Sequence, residues 1–440
     1  NEQGEKMSKI TRVRSRVIGY SQVPSTLRRN LITNASVLED FQTKENGWFG
    51  PAFCTVVEIE TEKGVIGTAT AGAFNGAAKS IIDMYILDLI KGQDVENHEG
   101  NWQRIYRTVI RFGRSGAAIS ALSAIDIAMW DAHAKELNQP VTQLLGGNVQ
   151  TRVPCYVSRL YAMEDLDQLA DEAKGYVAQG FTRVKQPFGF GPQDGYQGMK
   201  RNVDLIRTVR NAVGPDVEIA ADAYMGWDYG YAIEMYKRLR EFNLSWIEEA
   251  LMPQLVDRYA ELRKTTPGQR WSHGEHSYTK WDFEDLINKS AADILQPDFN
   301  RAGGLTEARK ICALAETAGL PVFPHSNEAH NTAIIFSQSA AVCPVVEYFP
   351  NVTPDTGNEL FWNLFTVAGA LGAQAMGDVR AFGLDSAVPA AFLGLVWPRL
   401  TGNFERALAV GCAIFAIAMT PILPAGLPII ATAFIAIAVG

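Results

Sequence analysis

Seven polar side chains lie at or near the ends of short apolar runs, and their types suit metal binding and proton transfer. They are Lys185, Asp222, Glu248, Glu275, Asp298, His325 and Glu347. Asp222 precedes Glu248 by 26 residues and Glu248 precedes Glu275 by 27, so these side chains recur once per repeat and are not neighbours on one helix. If the runs are parallel strands, their carboxyl ends open on one face and the seven side chains meet in one pocket.

The carboxylates of Asp222, Glu248 and Glu275 predict a site for a hard divalent cation. Carboxylates at close range do not all stay ionised unless a cation compensates them. Oxygen ligands favour Mg²⁺, whereas zinc takes histidine or cysteine. A lone carboxylate is more often a surface group or a helix cap, and the recurrence at successive strand ends favours the metal role. Glu249 is the alternative to Glu248, and strand alternation would turn Glu249 away from the pocket.

His325 follows an apolar run, and Asp298 ends the run before it. A carboxylate bonded to one imidazole nitrogen fixes the tautomer and raises the basicity of the other, which predicts a general acid/base. Lys185 can neutralise a substrate carboxylate or serve as a base. The alternatives are a structural histidine and a solvated lysine at a strand end.

Further polar residues are secondary candidates. Glu347 and His276 are predicted to hydrogen-bond a substrate, and His273 and His330 are weaker candidates for the same role. Gly303-Gly304 precedes a helical pattern and could bind phosphate at a helix N-terminus. The start of an ordinary helix is the favoured interpretation of the two glycines.

Eight apolar runs alternate with helical patterns, which predicts parallel strands joined by helices in an α/β (β/α) barrel of TIM type. The runs span 153–158, 181–186, 217–222, 244–249, 270–275, 292–298, 320–325 and 344–349. A doubly wound open sheet is the alternative, but no GxGxxG motif follows a strand. Before the barrel, residues 8–70 alternate as strands and residues 76–146 are helical, so we predict an α+β capping domain.

Composition excludes several classes of protein. The 440 residues are 47% apolar and carry a net charge of −8 without a basic cluster, which argues against nucleic-acid binding and against disorder. Five separated cysteines fit reduced thiols in a cytoplasmic protein better than disulfides or a zinc site. The first ten residues lack the apolar segment of a signal peptide.

The C-terminal 75 residues differ from the rest. Residues 366–440 hold six charged side chains and residues 407–440 hold none. The uncharged run 407–423 has 17 residues, at the short limit for a membrane span, so a hydrophobic helical tail with membrane association through 407–440 is predicted. A buried helical hairpin is the alternative. The predicted domains are therefore 8–148, 149–365 and 366–440.

Ordered motifs carry a resemblance to the mandelate racemase branch of the enolase superfamily over about residues 8–365. They include ALSAIDIAMWDAHAKELNQPVTQLLGG at 121–147, ADAYMGW at 221–227, WIEEAL at 246–251, GEHSYT at 274–279 and QPDFNRAGGLTEARKI at 296–311. Within the branch the chain is most similar to the L-rhamnonate dehydratases and related acid-sugar dehydratases, which share the K-x-P of Lys185-Gln186-Pro187. The tail resembles the C-terminal part of the large subunit of branched-chain amino-acid exporters.

The resemblance implies a capping domain over the barrel, Mg²⁺ held by Asp222, Glu248 and Glu275, and removal of a proton α to a carboxylate. Because Pro187 stands where racemases carry a second lysine, His325 is the remaining acid/base. The implied enzyme is a hydro-lyase that turns a small sugar acid, L-rhamnonate-like, into a 2-keto-3-deoxy acid, as a cytoplasmic homo-oligomer. The alternatives are a racemase or epimerase, and a membrane-anchored or transport-related chimera with an inactive barrel.

Overall fold

The computed structural model describes residues 8–20, 29–30, 32–37, 52–72, 75–158, 160–326 and 328–350. The strands are β1 Ile10–Tyr20, β2 Arg29–Asn30, β3 Ala52–Thr61, β4 Ile66–Thr70, β5 Cys155–Val157, β6 Ala162–Met163, β7 Arg183–Pro187, β8 Glu218–Asp222, β9 Ile247–Glu248, β10 Trp271–His273, β11 Ile294–Leu295 and β12 Val346–Tyr348. The helices are α1 Ala78–Ile81, α2 Leu87–Ile90, α3 His98–Val109, α4 Ala117–Glu136, α5 Val141–Leu144, α6 Leu166–Ala178, α7 Gly195–Val213, α8 Tyr229–Leu239, α9 Val256–Thr265, α10 Thr279–Asn288, α11 Gly304–Ala318 and α12 Ala329–Ser337.

The predicted N-terminal strands form an antiparallel sheet, in the order β1-β3-β4. Strands β3 and β4 are joined by a hairpin turn at residues 62–64. Helix α4 packs against this sheet and is buried on nearly all sides, which is why its sequence is apolar around the whole helix. The sheet and the helices α1 to α4 share one hydrophobic core.

The alternating runs form a parallel seven-stranded sheet in the order β11-β10-β9-β8-β7-β5-β12. The prediction of eight strands is wrong by one, because the run 320–325 contributes a single bridge, from Val322 to Leu295. Pro321 and Pro324 lack the amide hydrogens that a regular ladder needs. The run still lies beside β11, since the amide of Phe323 donates to the carbonyl of Leu295 at 2.8 Å.

The sheet curls so that distant strands touch. Tyr156 of β5 contacts Trp246 edge-on, with ring centroids 5.2 Å apart, and Trp246 contacts Phe323 at the same distance. At the other end of the strands, the amide of Ser326 donates to the carboxylate of Glu347 on β12 at 2.6 Å. These contacts bring β12, at one edge of the sheet, close to the run 320–325, which lies beside β11 at the other edge.

The capping helix α4 docks on the first turn of α11. The Asp126 carboxylate accepts the Thr306 amide at 2.9 Å and the Thr306 hydroxyl at 2.5 Å. Gly304 sits against it with φ +76°, and a Cβ there would lie 2.4 Å from Asp126 Oδ2. A glycine is therefore required at 304 for both the backbone conformation and the close approach of α4.

The remaining sequence predictions concern membrane-spanning helices, the C-terminal tail and the cysteines. Within the described residues, no helix combines the length and apolar character needed to cross a membrane. The predicted tail 366–440 and Cys412 lie outside the described residues. The four described cysteines are free thiols, as predicted.

We predict that Gly304→Ala lowers the free energy of unfolding by about 2 kcal/mol or more, because the methyl group meets Asp126 in addition to the backbone strain. Gly319→Ala is the matched control, with φ +68° and no atom within 4 Å of the place its methyl group would take. It should cost only the backbone strain, about 1 kcal/mol. Urea unfolding of both variants measures the difference, and equal losses would contradict the close contact at 304.

Candidate active site

Lys185 lies at the centre of the polar end of the sheet. Its side chain is buried, and its Nζ lies 2.8 Å from Glu248, 2.8 Å from Glu347 and 3.8 Å from Asp222. These four residues come from neighbouring strands β7, β8 and β9 and from β12, so the sheet itself sets their spacing. Burial lowers the pKa of Lys185, but Glu248 and Glu347 raise it well above the usual value and the lysine stays charged.

The carboxylates around Lys185 differ in the direction of their pKa shifts. Burial favours the neutral form of Glu347, yet Lys185, His325 and the Ser326 amide hold its pKa at about 2. Burial raises the pKa of Glu248 to about 8 and that of Asp222 to about 6, and the neighbouring carboxylates add to both shifts against the pull of Lys185. The amide of Gln296 also donates to Glu248 at 3.0 Å. One lysine does not compensate this cluster, so a further cation fits its chemistry.

Glu249 lies inside the site, so the expectation that it turns away is wrong. Strand β9 ends at Glu248, and Glu249 has φ +40°, so strand alternation no longer applies to it. Its carboxylate is buried and lies 2.7 Å from His276 Nδ1 and 3.2 Å from His273 Nδ1. Burial opposes ionisation, but the two histidines hold the pKa of Glu249 well below its usual value.

The predicted metal ligands do not form one compact group in this structure. Among the described residues, Glu249, Glu275 and His276 are the group whose ligand atoms all lie within 4.8 Å of one another. Glu275 thus joins this group, while Glu248 and Asp222 face Lys185. The metal role of Asp222 and Glu248 stays a prediction.

His325 and Asp298 are brought together as the spacing predicts. His325 Nδ1 lies 3.1 Å from Asp298 Oδ2, and His325 Nε2 lies 3.1 Å from Glu275 Oε2. Burial lowers the pKa of His325, but Glu275 and Asp298 raise it well above the usual value. Burial favours the neutral form of Asp298, but Arg301 and His325 lower its pKa to about 2. A carboxylate-held imidazole of this kind can take up and return a proton.

Two residues of the site, Gln296 and Arg301, are not predicted by the sequence analysis, and Glu249 is predicted only as the alternative to Glu248. The Arg301 Nε lies 3.4 Å from Asp298 Oδ2, and its Nη1 donates to the Glu275 carbonyl at 3.3 Å. Its position three residues after Asp298 was the available signal. Gln296 precedes Asp298 by two residues, which places both on the same side of an extended run.

The two weaker histidine candidates differ in setting. His273 is fully buried on β10 and stacks on Tyr259, with ring centroids 4.4 Å apart, so it supports Glu249 from within the core. His330 lies on α12, and burial lowers its pKa to about 4 despite the nearby Asp298. The Nε2 atoms of both histidines are buried, so neither is a good donor or acceptor for a substrate.

Comparison with known proteins identifies the class. Residues 48–146 match the N-terminal domain of the mandelate racemase / muconate lactonizing enzyme family, and residues 168–370 match the enolase C-terminal domain-like family. An L-rhamnonate dehydratase from Saccharopolyspora erythraea is 33% identical over 284 residues, which are 64% of this chain and 70% of that protein. The chain belongs to the mandelate racemase branch of the enolase superfamily.

Solved structures agree with this assignment. L-rhamnonate dehydratase from Gibberella zeae superposes with a TM-score of 0.71 at 32% identity, covering 80% of this chain and 85% of that one. A Mg²⁺ complex from the same organism gives 0.70 at 31%, covering 81% and 86%. A racemase from Streptomyces coelicolor A3(2) with bound magnesium gives 0.65 at 25%, covering 77% and 89%. The magnesium prediction is confirmed for the family.

We predict that Lys185→Met lowers the free energy of unfolding in metal-free buffer by about 3–5 kcal/mol, because Glu248 and Glu347 lose their buried cation. The loss should shrink as the pH falls from 8 to 5, since protonating the carboxylates removes the uncompensated charge. Urea unfolding with EDTA measures both effects.

Lys174→Met is the control, because Lys174 is exposed and pairs with the exposed Asp171. It should leave stability nearly unchanged. A Lys185→Met protein as stable as the wild type would mean that Lys185 does not compensate these carboxylates.

Proposed function

We propose that the chain is a Mg²⁺-dependent acid-sugar dehydratase, a hydro-lyase whose substrate resembles L-rhamnonate. The observation that carries the proposal is His325, which is held at Nδ1 by the buried Asp298 and lies beside the Lys185 cluster. The similarity to L-rhamnonate dehydratases supports the substrate class.

The residues that would hold Mg²⁺ are Asp222, Glu248 and Glu275. The supporting observation is that the pKa values of Asp222 and Glu248 are raised, because Lys185 alone does not compensate the buried carboxylates around it. When bound, the ion supplies positive charge that lowers the pKa of the proton α to the substrate carboxylate. Lys185 adds a second positive charge to the same part of the pocket. Glu347, which Lys185 and the Ser326 amide keep ionised, accepts a hydrogen bond from a substrate hydroxyl.

Proton transfer falls to His325. The neutral form of His325, with its one ring proton on Nδ1, accepts the α-proton at Nε2, and Asp298 accepts a hydrogen bond from Nδ1, which stabilises the imidazolium that forms. The electron pair of the broken C–H bond forms the C=C bond and expels the β-hydroxyl, which takes the proton from Nε2 and leaves as water. The enol product then tautomerises to the 2-keto-3-deoxy acid. One histidine on one face of the substrate is enough for this syn elimination.

The remaining assignments follow from the family resemblance. The capping domain spans 8–148 and the (β/α) barrel domain 149–365, and the enzyme is a cytoplasmic homo-oligomer that acts on a free sugar acid. The membrane association of residues 407–440 and the exporter-like origin of 366–440 remain predictions from the sequence.

Epimerisation is a second candidate, because a second histidine–carboxylate pair lies beside the first. His276 Nδ1 lies 2.7 Å from Glu249 and 3.3 Å from Glu275 Oε1, while His325 contacts the other oxygen of Glu275. Two imidazoles that reach opposite faces of one carbon would exchange and invert it. In D₂O, epimerisation leaves the β-hydroxyl in place and puts deuterium on the α-carbon, whereas dehydration yields the keto acid.

We predict that the wild-type protein with Mg²⁺ converts a sugar acid from a panel that includes L-rhamnonate into a 2-keto-3-deoxy acid, and that EDTA stops the reaction. His325→Asn should lower kcat by at least about 10³-fold, because the α-proton loses its acceptor. The semicarbazide assay for 2-keto acids measures the product.

His133→Asn is the matched control, because His133 lies on α4 of the capping domain and contacts His98 and Glu96. It should retain activity. Undiminished turnover by His325→Asn would refute the role of His325, and a wild type that only exchanges the α-proton would favour the epimerase.

A further inference from the structure

Helix α11 begins without a side-chain cap of its own. Gly303 occupies the cap position and has no side chain, so the first amide groups of α11 need acceptors from elsewhere. The sequence offers Gly303-Gly304 as a possible phosphate site, with the start of an ordinary helix as the favoured interpretation. In the structure, a carboxylate of the chain itself lies where a bound phosphate would accept the amide hydrogens of this turn.

Asp126 of the capping helix α4 supplies the missing cap. It accepts both the amide and the hydroxyl of Thr306, and it is fully buried. Two other residues of α4 bind the same turn. The Gly303 amide donates to the Ser123 hydroxyl at 2.9 Å, and the Trp130 indole donates to the Thr306 hydroxyl at 3.0 Å. A residue 180 positions earlier in the chain therefore caps this helix.

The capped turn closes the loop that carries Asp298. The amides of Arg301 and Ala302 donate to the Asp298 carbonyl at 2.8 and 2.7 Å, and the Gly304 amide donates to the Phe299 carbonyl at 3.0 Å. Five residues thus separate Asp298 from Gly304, and backbone hydrogen bonds join the two ends of this loop. A shift of the first turn of α11 moves the backbone of Asp298.

We propose that Asp126 is a positioning residue, which acts from the capping domain to hold the Asp298 loop and, through Asp298, the imidazole of His325. The catalytic half of this inference rests on the proposed function, while the structural half does not. Asp126 touches neither the pocket nor a candidate metal ligand, so its effect is transmitted through the loop alone.

The charge state of Asp126 agrees with a hydrogen-bonding role. Burial raises the pKa of Asp126 to about 7. The hydrogen bonds from the Thr306 hydroxyl and amide lower this pKa, and the nearby Glu307 carboxylate raises it. Glu307 is itself paired with Lys280 and Lys310. Asparagine has the same shape, and its single oxygen can accept the Thr306 amide hydrogen while its NH2 group donates to the Thr306 hydroxyl oxygen, so this amide should replace the carboxyl group.

The first test is hydrogen–deuterium exchange of the whole chain, followed by mass spectrometry of peptides that cover 298–306. In Asp126→Ala, this loop should exchange at least about tenfold faster than in the wild type, while β7 and β8 stay unchanged. Asp126→Asn should keep most of the protection. Asp131→Ala is the matched control, since Asp131 lies on the same helix but accepts the Thr68 amide, within the capping domain.

The second test measures turnover of the sugar acid that the wild type dehydrates. Asp126→Ala should lower kcat about tenfold, leave KM within about twofold, and raise the isotope effect of an α-deuterated substrate. Asp126→Asn should restore most of kcat. A mere loss of folded enzyme would lower kcat with no change in the isotope effect.

The outcomes separate the two claims. Unchanged loop exchange in Asp126→Ala overturns the inference whatever reaction the chain catalyses. Faster exchange with normal kcat and isotope effect overturns the catalytic half. If Asp126→Ala does not fold, Thr306→Val tests the same contact by removing the hydroxyl alone, with the same expected directions. A wild type that dehydrates no sugar acid refutes the proposed function and the catalytic half, and the exchange result still decides the structural half.

Discussion

The site depends on how buried negative charge is compensated. Six carboxylates converge there: Asp222, Glu248, Glu249, Glu275, Asp298 and Glu347. Lys185 and Arg301 are the permanently charged cations that contact them, and the neighbouring histidines are His273, His276 and His325. The raised pKa values of Asp222 and Glu248 show that these groups do not compensate all six carboxylates. A divalent cation would stabilise the ionised forms, which is a physical reason for magnesium that does not depend on which oxygens bind it.

The parallel sheet makes such a cluster possible because most of its strands are followed or ended by a polar side chain at the same end of the sheet. Lys185 reaches Glu347 on β12 only because the sheet curls. The aromatic contacts of Tyr156, Trp246 and Phe323 fill the interior, so the polar groups are confined to one end and kept from bulk water. Desolvation of this kind strengthens every charge interaction in the pocket.

The sequence was sufficient for whatever depends on local periodicity. The alternation of apolar runs and helices predicts the parallel sheet, and the residues that end the runs predict the pairing of His325 with Asp298. It was insufficient where the structure depends on one backbone angle or on a contact between distant residues. The run 320–325 forms only a bridge at Val322 because two prolines flank that residue. The need for glycine at 304 follows from the contact with Asp126, which the sequence pattern does not predict.

Glu248 and Glu249 illustrate that limit most sharply. In a continued strand, consecutive side chains point to opposite faces, and Glu249 would leave the pocket. Strand β9 is only two residues long, and the positive φ of Glu249, which costs about 1–3 kcal/mol, returns its carboxylate to the histidines. Two adjacent residues therefore serve both sides of the pocket, Glu248 toward Lys185 and Glu249 toward His276. The contacts of Glu249 with His273 and His276 are the interactions that can offset this strain, so the local conformation is a consequence of the site rather than of the strand pattern.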